Sequence, residues 1–415
     1  MIYKKKKDLN ISQNIVAKNN FCPSESNYQL SSEDENIQKF HLNFKKNLLA
    51  QKTYSFIEKS VILSLIEMKR RPDLLSPNSR LQIYLKINNQ NYYFDFIPKN
   101  FEGPETMPYL MGLDYLMKMF NPQNTLNNLA RDLDQDSTSD NVVSNDLEMF
   151  LKENQKELSQ SENFVSQFFK GDEIITKYET FKSLSFKSIL DTYLKLKMNN
   201  FSQYSQTPLP FYKISSNDLL PSSTIECNYD INLDQKILHN DQMRDELKSH
   251  TVAFMENKNT FLAVGSSILQ RPLRPSRDFQ TFFQIMTPRL PLPTCQFRGQ
   301  NQNVNLFSTN GKNPLQHFQH LISYDISKVE SAQGLNEILS FSRHLFLKGP
   351  DRILYESKRG RKSQLDFFLS MNFPIYHVEA LGNIFGEATF ENKTQKTLHR
   401  TLVIDERSPS RLWCK

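Results

Sequence analysis

Five short strand-forming runs fall in the last 155 residues of this 415-residue chain, with helical patterns between them. They are Phe261-Leu-Ala-Val-Gly265-Ser-Ser-Ile-Leu269, His320-Leu-Ile-Ser-Tyr-Asp325, Asp351-Arg-Ile-Leu-Tyr-Glu356, Phe373-Pro-Ile-Tyr-His-Val-Glu379 and Thr401-Leu-Val-Ile-Asp405. The stretch from Gly334 through Phe346 places Leu335, Ile338, Leu339 and Phe346 on one helical face, and Lys348-Gly349-Pro350 closes it. Met243 to Asn257 reads as a helix leading into the first run, and Ser363 can cap another over Gln364–Asn372. Strands alternating with helices predict an α/β layer fold with a largely parallel sheet.

The first half reads differently. Tyr54 to Arg71 carries Ile57, Val61, Ile62, Leu65, Ile66 and Met68 at helical spacing, with Lys69, Arg70 and Arg71 suiting its C-terminal dipole and Pro72 stopping it. Leu81, Ile83, Leu85 and Ile87 alternate, Asn88 to Asn91 turn, and Tyr92 to Ile97 return, which predicts a β-hairpin. Helical patterns also run from Ile37 to Ala50 and from Thr106 to Phe120. The expected organisation is a polar tail over 1–35, a smaller α+β domain with the hairpin over 36–125, an acidic linker over 126–165, a helical segment and connector over 166–235, and an α/β domain over 236–415. Within the linker, Asp132 to Asp140 opens like a calcium loop, but Ser137 and Val143 stand where glycine and glutamate are needed.

Charge sharpens the division. Residues 236–415 hold 24 Lys and Arg against 16 Asp and Glu, while the first 235 hold 27 against 29. The interval 266–324 has six cations, Arg271, Arg274, Arg277, Arg289, Arg298 and Lys312, and the single acid Asp278. Proline-stiffened basic segments of this kind fit a partner surface or a phosphate strip. Lys358-Arg359-Gly360-Arg361-Lys362 is a second basic turn. Arg271, Arg274, Arg277, Arg289, Lys358, Arg359, Arg361 and Lys362 are therefore the candidate partner-binding residues, for other protein subunits and for DNA or RNA.

No run is apolar enough for a transmembrane helix, and Met1 to Asp8 reads as neither a secretory signal nor an amphipathic presequence. Cys22, Cys227, Cys295 and Cys414 form no CxxC pair, which argues against a local zinc site and a disulfide scaffold. An intracellular address follows, nuclear or cytoplasmic, with a mitochondrial one left open. His317 and His320 share a helix face but lack further ligands nearby, so no metal is expected. GxSxG, P-loop, HExxH and DPPW signatures are absent.

The order of strand, Arg359-Gly360-Arg361 turn, helix with Phe367-Phe368 and two closing strands resembles the class I, Rossmann-like S-adenosylmethionine methyltransferases, protein-lysine branch, over residues 240–415. That resemblance implies a Rossmann-like sheet with Gly265, Ser266 and Asp325 at the cofactor. The loop departs from the family: Ala263 replaces an acid, Ser267 a glycine, and Lys328 the aromatic after Asp325. The expectation is thus a non-catalytic methyltransferase-like subunit of a protein or nucleoprotein assembly, without cofactor. The alternative is an active S-adenosylmethionine-dependent methyltransferase acting on protein or RNA.

Overall fold

A computed structural model describes residues 21–24, 26–34, 54–98, 107–120, 125–135, 141–200, 204–208, 212–214, 224–228, 247–288, 291–309, 314–324, 326–347, 351–360, 362–392 and 397–414. The chain divides into two compact units. The larger comprises Asn27–Pro210, Glu246–Pro291 and Ser410–Lys415; the smaller comprises Met1–Ser26, Phe211–Asp245 and Leu292–Pro409.

The larger unit is organised by an antiparallel sheet. Its strands run in the order Arg411–Cys414, Tyr28–Ser32, Leu247–Glu256, Asn259–Leu269, Arg80–Ile87, Gln90–Pro98 and Tyr204–Pro208, with Ile285–Met286 pairing off the Asn259–Leu269 strand. The hairpin expected at 81–97 is found there, and Asn88 and Asn89 take the two positive φ angles, 52° and 63°, that a two-residue turn demands. In the central hairpin Asn257, at φ 54°, is the turn residue with positive φ.

Helices Phe56–Arg70 and Pro108–Phe120 pack on one sheet face. The first starts on a capping box: the Ser55 amide donates to Glu58 Oε2 at 2.6 Å and the Glu58 amide to Ser55 Oγ at 3.3 Å. Phe56 stacks on Phe254 at 5.0 Å, and Val252, Phe261 and Ala263 join Ile62, Leu65, Leu110 and Leu113 in the same core. The 126–165 stretch, read from its acids as a linker, forms helices Leu126–Gln135, Asn145–Glu153 and Glu162–Phe168. Leu147, Leu151, Phe164 and Phe168 build a second core with Leu269, Leu273 and Phe283. Its acids occupy the outer helical faces and mask the spaced leucines.

The smaller unit holds a second antiparallel sheet, in the order Thr397–Ile404, Asn383–Asn392, Gln302–Thr309, Thr294–Arg298, Thr224–Cys227 and Tyr212–Ile214. Helices Pro314–Ser323 and Ala332–Ser340 supply Phe318, Leu321, Leu335 and Leu339 to its core. A small three-stranded sheet, His344–Leu347, Arg352–Tyr355 and Ile375–His377, contains the only parallel pairing among the described residues.

The Rossmann-like parallel sheet is therefore corrected. Residues 261–269 are one continuous strand, without a turn at Gly265. His320 lies in a helix, because a short apolar run carries no period long enough to separate strand from helix. Leu247–Glu256 is strand where a helix was expected, and His344–Leu347 is strand where one was to continue. Of the two final strands expected in one sheet with 351–356, Ile375–His377 does pair with Arg352–Tyr355, whereas Thr397–Ile404 belongs to another sheet. The expected helix over 37–50 lies outside the described residues.

Gly265 owes its identity to packing. A Cβ there would run into Leu75 Cδ2 and stand 3.0 Å from Tyr109 Cε2, both in the core. Gly265→Ala is expected to cost about 1–3 kcal/mol, because a well-packed core resists added volume. A urea melt with an unchanged midpoint would contradict this packing role.

Candidate active site

The Leu247–Glu256 strand presents two chemically different faces. Val252 and Phe254 join the helix-side core, so His250, in the same alternation, points that way. Its Nε2 lies 2.7 Å from Glu67 Oε2 and its Nδ1 lies 3.2 Å from Glu33 Oε2. Burial pushes the imidazole down, but the Glu67 and Glu33 carboxylates outweigh it and raise its pKa to about 10. His250 is thus an imidazolium that donates to both carboxylates. Each carboxylate has a further partner: Ser32 Oγ donates to Glu67, and Thr251 Oγ1 donates to Glu33 at 3.2 Å. Locked in this way, His250 has no lone pair to act as a general base.

The opposite face carries hydroxyls. Register pairs Ser249 with Ser266, and Ser266 with Arg80, so the three side chains stand in a row across neighbouring strands. Both serines are buried, at 1% exposure each. Arg80 is held by Asp95, with Nε donating to Oδ1 at 2.7 Å, and its Nη1 donates to the Pro288 carbonyl at 2.9 Å. Ser266 Oγ is buried with no hydrogen-bond partner among the described residues. An orphaned buried hydroxyl calls for a ligand, a water or a role in chemistry. The row therefore offers a strand-borne hydroxyl, Ser249, beside a second hydroxyl with open hydrogen-bonding capacity, set in a sheet braced by buried ion pairs.

Of the residues singled out for a cofactor, Ser266 stands in this row and Gly265 next to it, facing the helices. Asp325 lies outside the described residues, as do Arg289 and Arg361. The remaining cations are spread out. Arg271 Nη1 donates to Asn154 at 2.7 Å and Glu157 at 2.9 Å in the larger unit. Arg274 and Arg277 are exposed on the same segment, which Leu273, Phe279 and Phe283 anchor in cores. In the smaller unit Lys358 pairs with Glu379 at 2.6 Å, Arg359 with Glu406 at 2.6 Å, and Lys362 is exposed at the start of helix Lys362–Ser370. Sequence reading missed His250, Glu33, Glu67 and Ser249; the first three meet only through tertiary pairing. The alternation around Ser249, ending in an Asn-Lys turn, was the available signal.

The smaller unit is pinned by a different network. Arg407 reaches Glu356 Oε2, Asp405 Oδ1 at 3.0 Å, and the Leu339 and Phe341 carbonyls at 2.7 and 2.6 Å. Arg343 pairs with Asp405 and donates to the Gly382 carbonyl at 2.8 Å. Cys227 and Cys295 face each other on adjacent strands and form a disulfide across 68 residues of sequence, a pairing that local cysteine spacing cannot reveal. Disulfides persist in oxidising compartments, so the cysteines no longer argue for a reducing one. Among the described residues no helix is long and apolar enough to cross a membrane.

No family model matches the sequence, and no curated protein does. Solved structures do match in shape. Two structures of LmbA2991 superpose with a TM-score of 0.61 at 7% identity, covering 94% of this chain and 98% of theirs. The cephalosporin acylase from Bacillus halodurans superposes with a TM-score of 0.58 at 8% identity, covering 94% of this chain and 96% of its own. These likenesses overturn the methyltransferase resemblance, and with it both the methyltransferase-like subunit and the active methyltransferase. By fold, the chain stands with the cephalosporin acylase and LmbA2991, in mainly antiparallel sheets.

Proposed function

We propose that this chain is an acyl-transfer hydrolase of the acylase type, cleaving an amide or related acyl bond with Ser249 Oγ as nucleophile. The orphaned Ser266 hydroxyl beside Ser249 carries the reading. In an acyl transfer, Ser249 Oγ attacks the carbonyl carbon and negative charge builds on the carbonyl oxygen. A neighbouring hydroxyl with nothing else to bind is placed to donate to that oxygen or to an attacking water. The fold shared with the cephalosporin acylase supports the substrate class. Because His250 is locked as an imidazolium it does not take the Ser249 proton; that proton leaves with the departing amine, and water then releases the acid from the acyl-serine. His250 and its glutamates hold the strand in place.

The test is hydrolysis of a panel of acyl-amides, including cephalosporin side-chain amides, by the full chain. Ser249→Ala is expected to lower kcat/KM by at least about 10³-fold, the scale on which losing a nucleophile acts. Ser266→Ala is expected to lower kcat about 10²-fold with little change in KM, as loss of an oxyanion donor does. Turnover that survives Ser249→Ala would overturn the assignment.

A further inference from the structure

The smaller unit contains a cavity of about 240 Å³ lined by Tyr324, Phe341, Ser342, Arg359 and Gln364. Its lining combines one aromatic wall with two uncommitted donors. Tyr324 and Phe341 meet edge to face, centroids 4.8 Å apart, at the end of the Ala332–Ser340 helix. Arg359 spends Nε on Glu406 Oε1 at 2.6 Å and Nη1 on the Glu379 carbonyl at 3.0 Å. Among the described residues no acceptor takes its Nη2. Gln364 uses Oε1 to accept from the Tyr355 hydroxyl at 3.5 Å, and no described acceptor takes its Nε2. Ser342 Oγ is already committed, donating to the Glu356 carbonyl at 3.1 Å.

We propose that this cavity is a binding site for a small aromatic carboxylate. The two rings, set edge to face at 70°, make an angled aromatic corner that suits a ligand ring packed on one of them and edge-on to the other. One carboxylate oxygen would accept from Arg359 Nη2, a charge-assisted bond, and the other from Gln364 Nε2. Glu406 and the Glu379 carbonyl fix the guanidinium plane, so that donor is set before the ligand arrives. At about 240 Å³ the cavity falls below the roughly 300–1,000 Å³ of drug-sized pockets, which limits the ligand to about one ring and its acid group. In the same basic turn Lys358 is neutralised by Glu379, and Lys362 is exposed at the start of the next helix. The site does not depend on the Ser249 reading, since it lies in the smaller unit and uses none of the same residues.

The probe is benzoate, titrated calorimetrically into the full chain, with benzamide and cyclohexanecarboxylate beside it. Saturable benzoate binding is expected, with benzamide at least about tenfold weaker for want of the charge and cyclohexanecarboxylate about threefold weaker or more for want of the flat ring. Arg359→Gln is expected to weaken benzoate at least about tenfold. Should that variant lose its fold through the broken Glu406 pair, Gln364→Ala, which breaks no ion pair, is expected to weaken benzoate about threefold or more with an unchanged melting temperature. Ser249→Ala should bind benzoate as the parent does, separating this site from the proposed catalytic one. No saturable benzoate binding, equal affinity for benzamide, or full affinity in Gln364→Ala would overturn the proposal.

Discussion

Replacing Arg407 with methionine is expected to destabilise the smaller unit by about 3–5 kcal/mol, the range found when one member of a buried ion pair is removed. The side chain is wholly buried and serves four acceptors: Glu356, Asp405 and the carbonyls of Leu339 and Phe341. Methionine fills the space and leaves Glu356 and Asp405 facing each other with half their compensation gone. Burial pulls the guanidinium down, but Asp405 and Glu356 more than reverse that, so it stays charged. Asp405 is pushed up by burial and brought back further by Arg343 and Arg407, which leaves it below the ordinary carboxylate range. Such a group gives stability above its unfolded pKa, lost as pH falls through the folded one. The parent should therefore weaken in acid below about pH 4, and Arg407→Met should weaken less over that window. Arg407→Lys keeps the charge but not the fork of donors, and should fall between the two. Urea midpoints at pH 7 and pH 3 read both effects; equal midpoints for parent and Arg407→Met at pH 7 would contradict the account.

His250 gives the second large effect, in the opposite pH direction. Its folded pKa, about 10, lies above the 6.5 of an ordinary histidine. The stability it contributes is fully present below pH 6.5 and is lost as pH rises through about 10. The larger unit should thus lose resistance to urea steadily over that interval. His250→Leu leaves Glu33 and Glu67 buried together without a cation and should cost about 3–5 kcal/mol at pH 6. The deficit should shrink toward pH 10, where the parent's imidazole is half neutral. A parent and variant that differ equally at pH 6 and pH 10 would show that His250 is neutral in the fold.

Local features of this fold were legible where their cause is local. The 81–97 hairpin declares itself by strict alternation around a pair of asparagines that accept positive φ. The helix Phe56–Arg70 declares itself by an apolar period, a basic last turn and Pro72 after its end. What sequence order hides is which strands are neighbours. Tyr28–Ser32 lies between Leu247–Glu256 and Arg411–Cys414, partners more than 200 and 350 residues away, and no periodicity encodes that choice. The same strand had been read as part of a polar tail because Gln29, Ser31 and Ser32 are polar, yet all three are buried. Gly265 drew attention as a cofactor-loop glycine; its lack of a side chain is used by Leu75 and Tyr109. Ser266 was singled out by the same resemblance and lies in the hydroxyl row for a different reason, the register of two antiparallel strands. The His250 cluster joins positions 33, 67 and 250, so only the assembled sheet and helix bring it into being.

The proposed chemistry is tested most directly by covalent capture of the nucleophile. The full chain would be treated with an acylating amide or lactone probe, quenched, digested with trypsin and examined by peptide mass spectrometry. Cleavage after Lys248 and Lys258 isolates a peptide whose only hydroxyl side chains are Ser249 and Thr251. The account predicts one acyl adduct on Ser249, absent from Ser249→Ala and retained in Thr251→Val. An adduct on another residue, or none under conditions in which the chain turns over an amide, would contradict it.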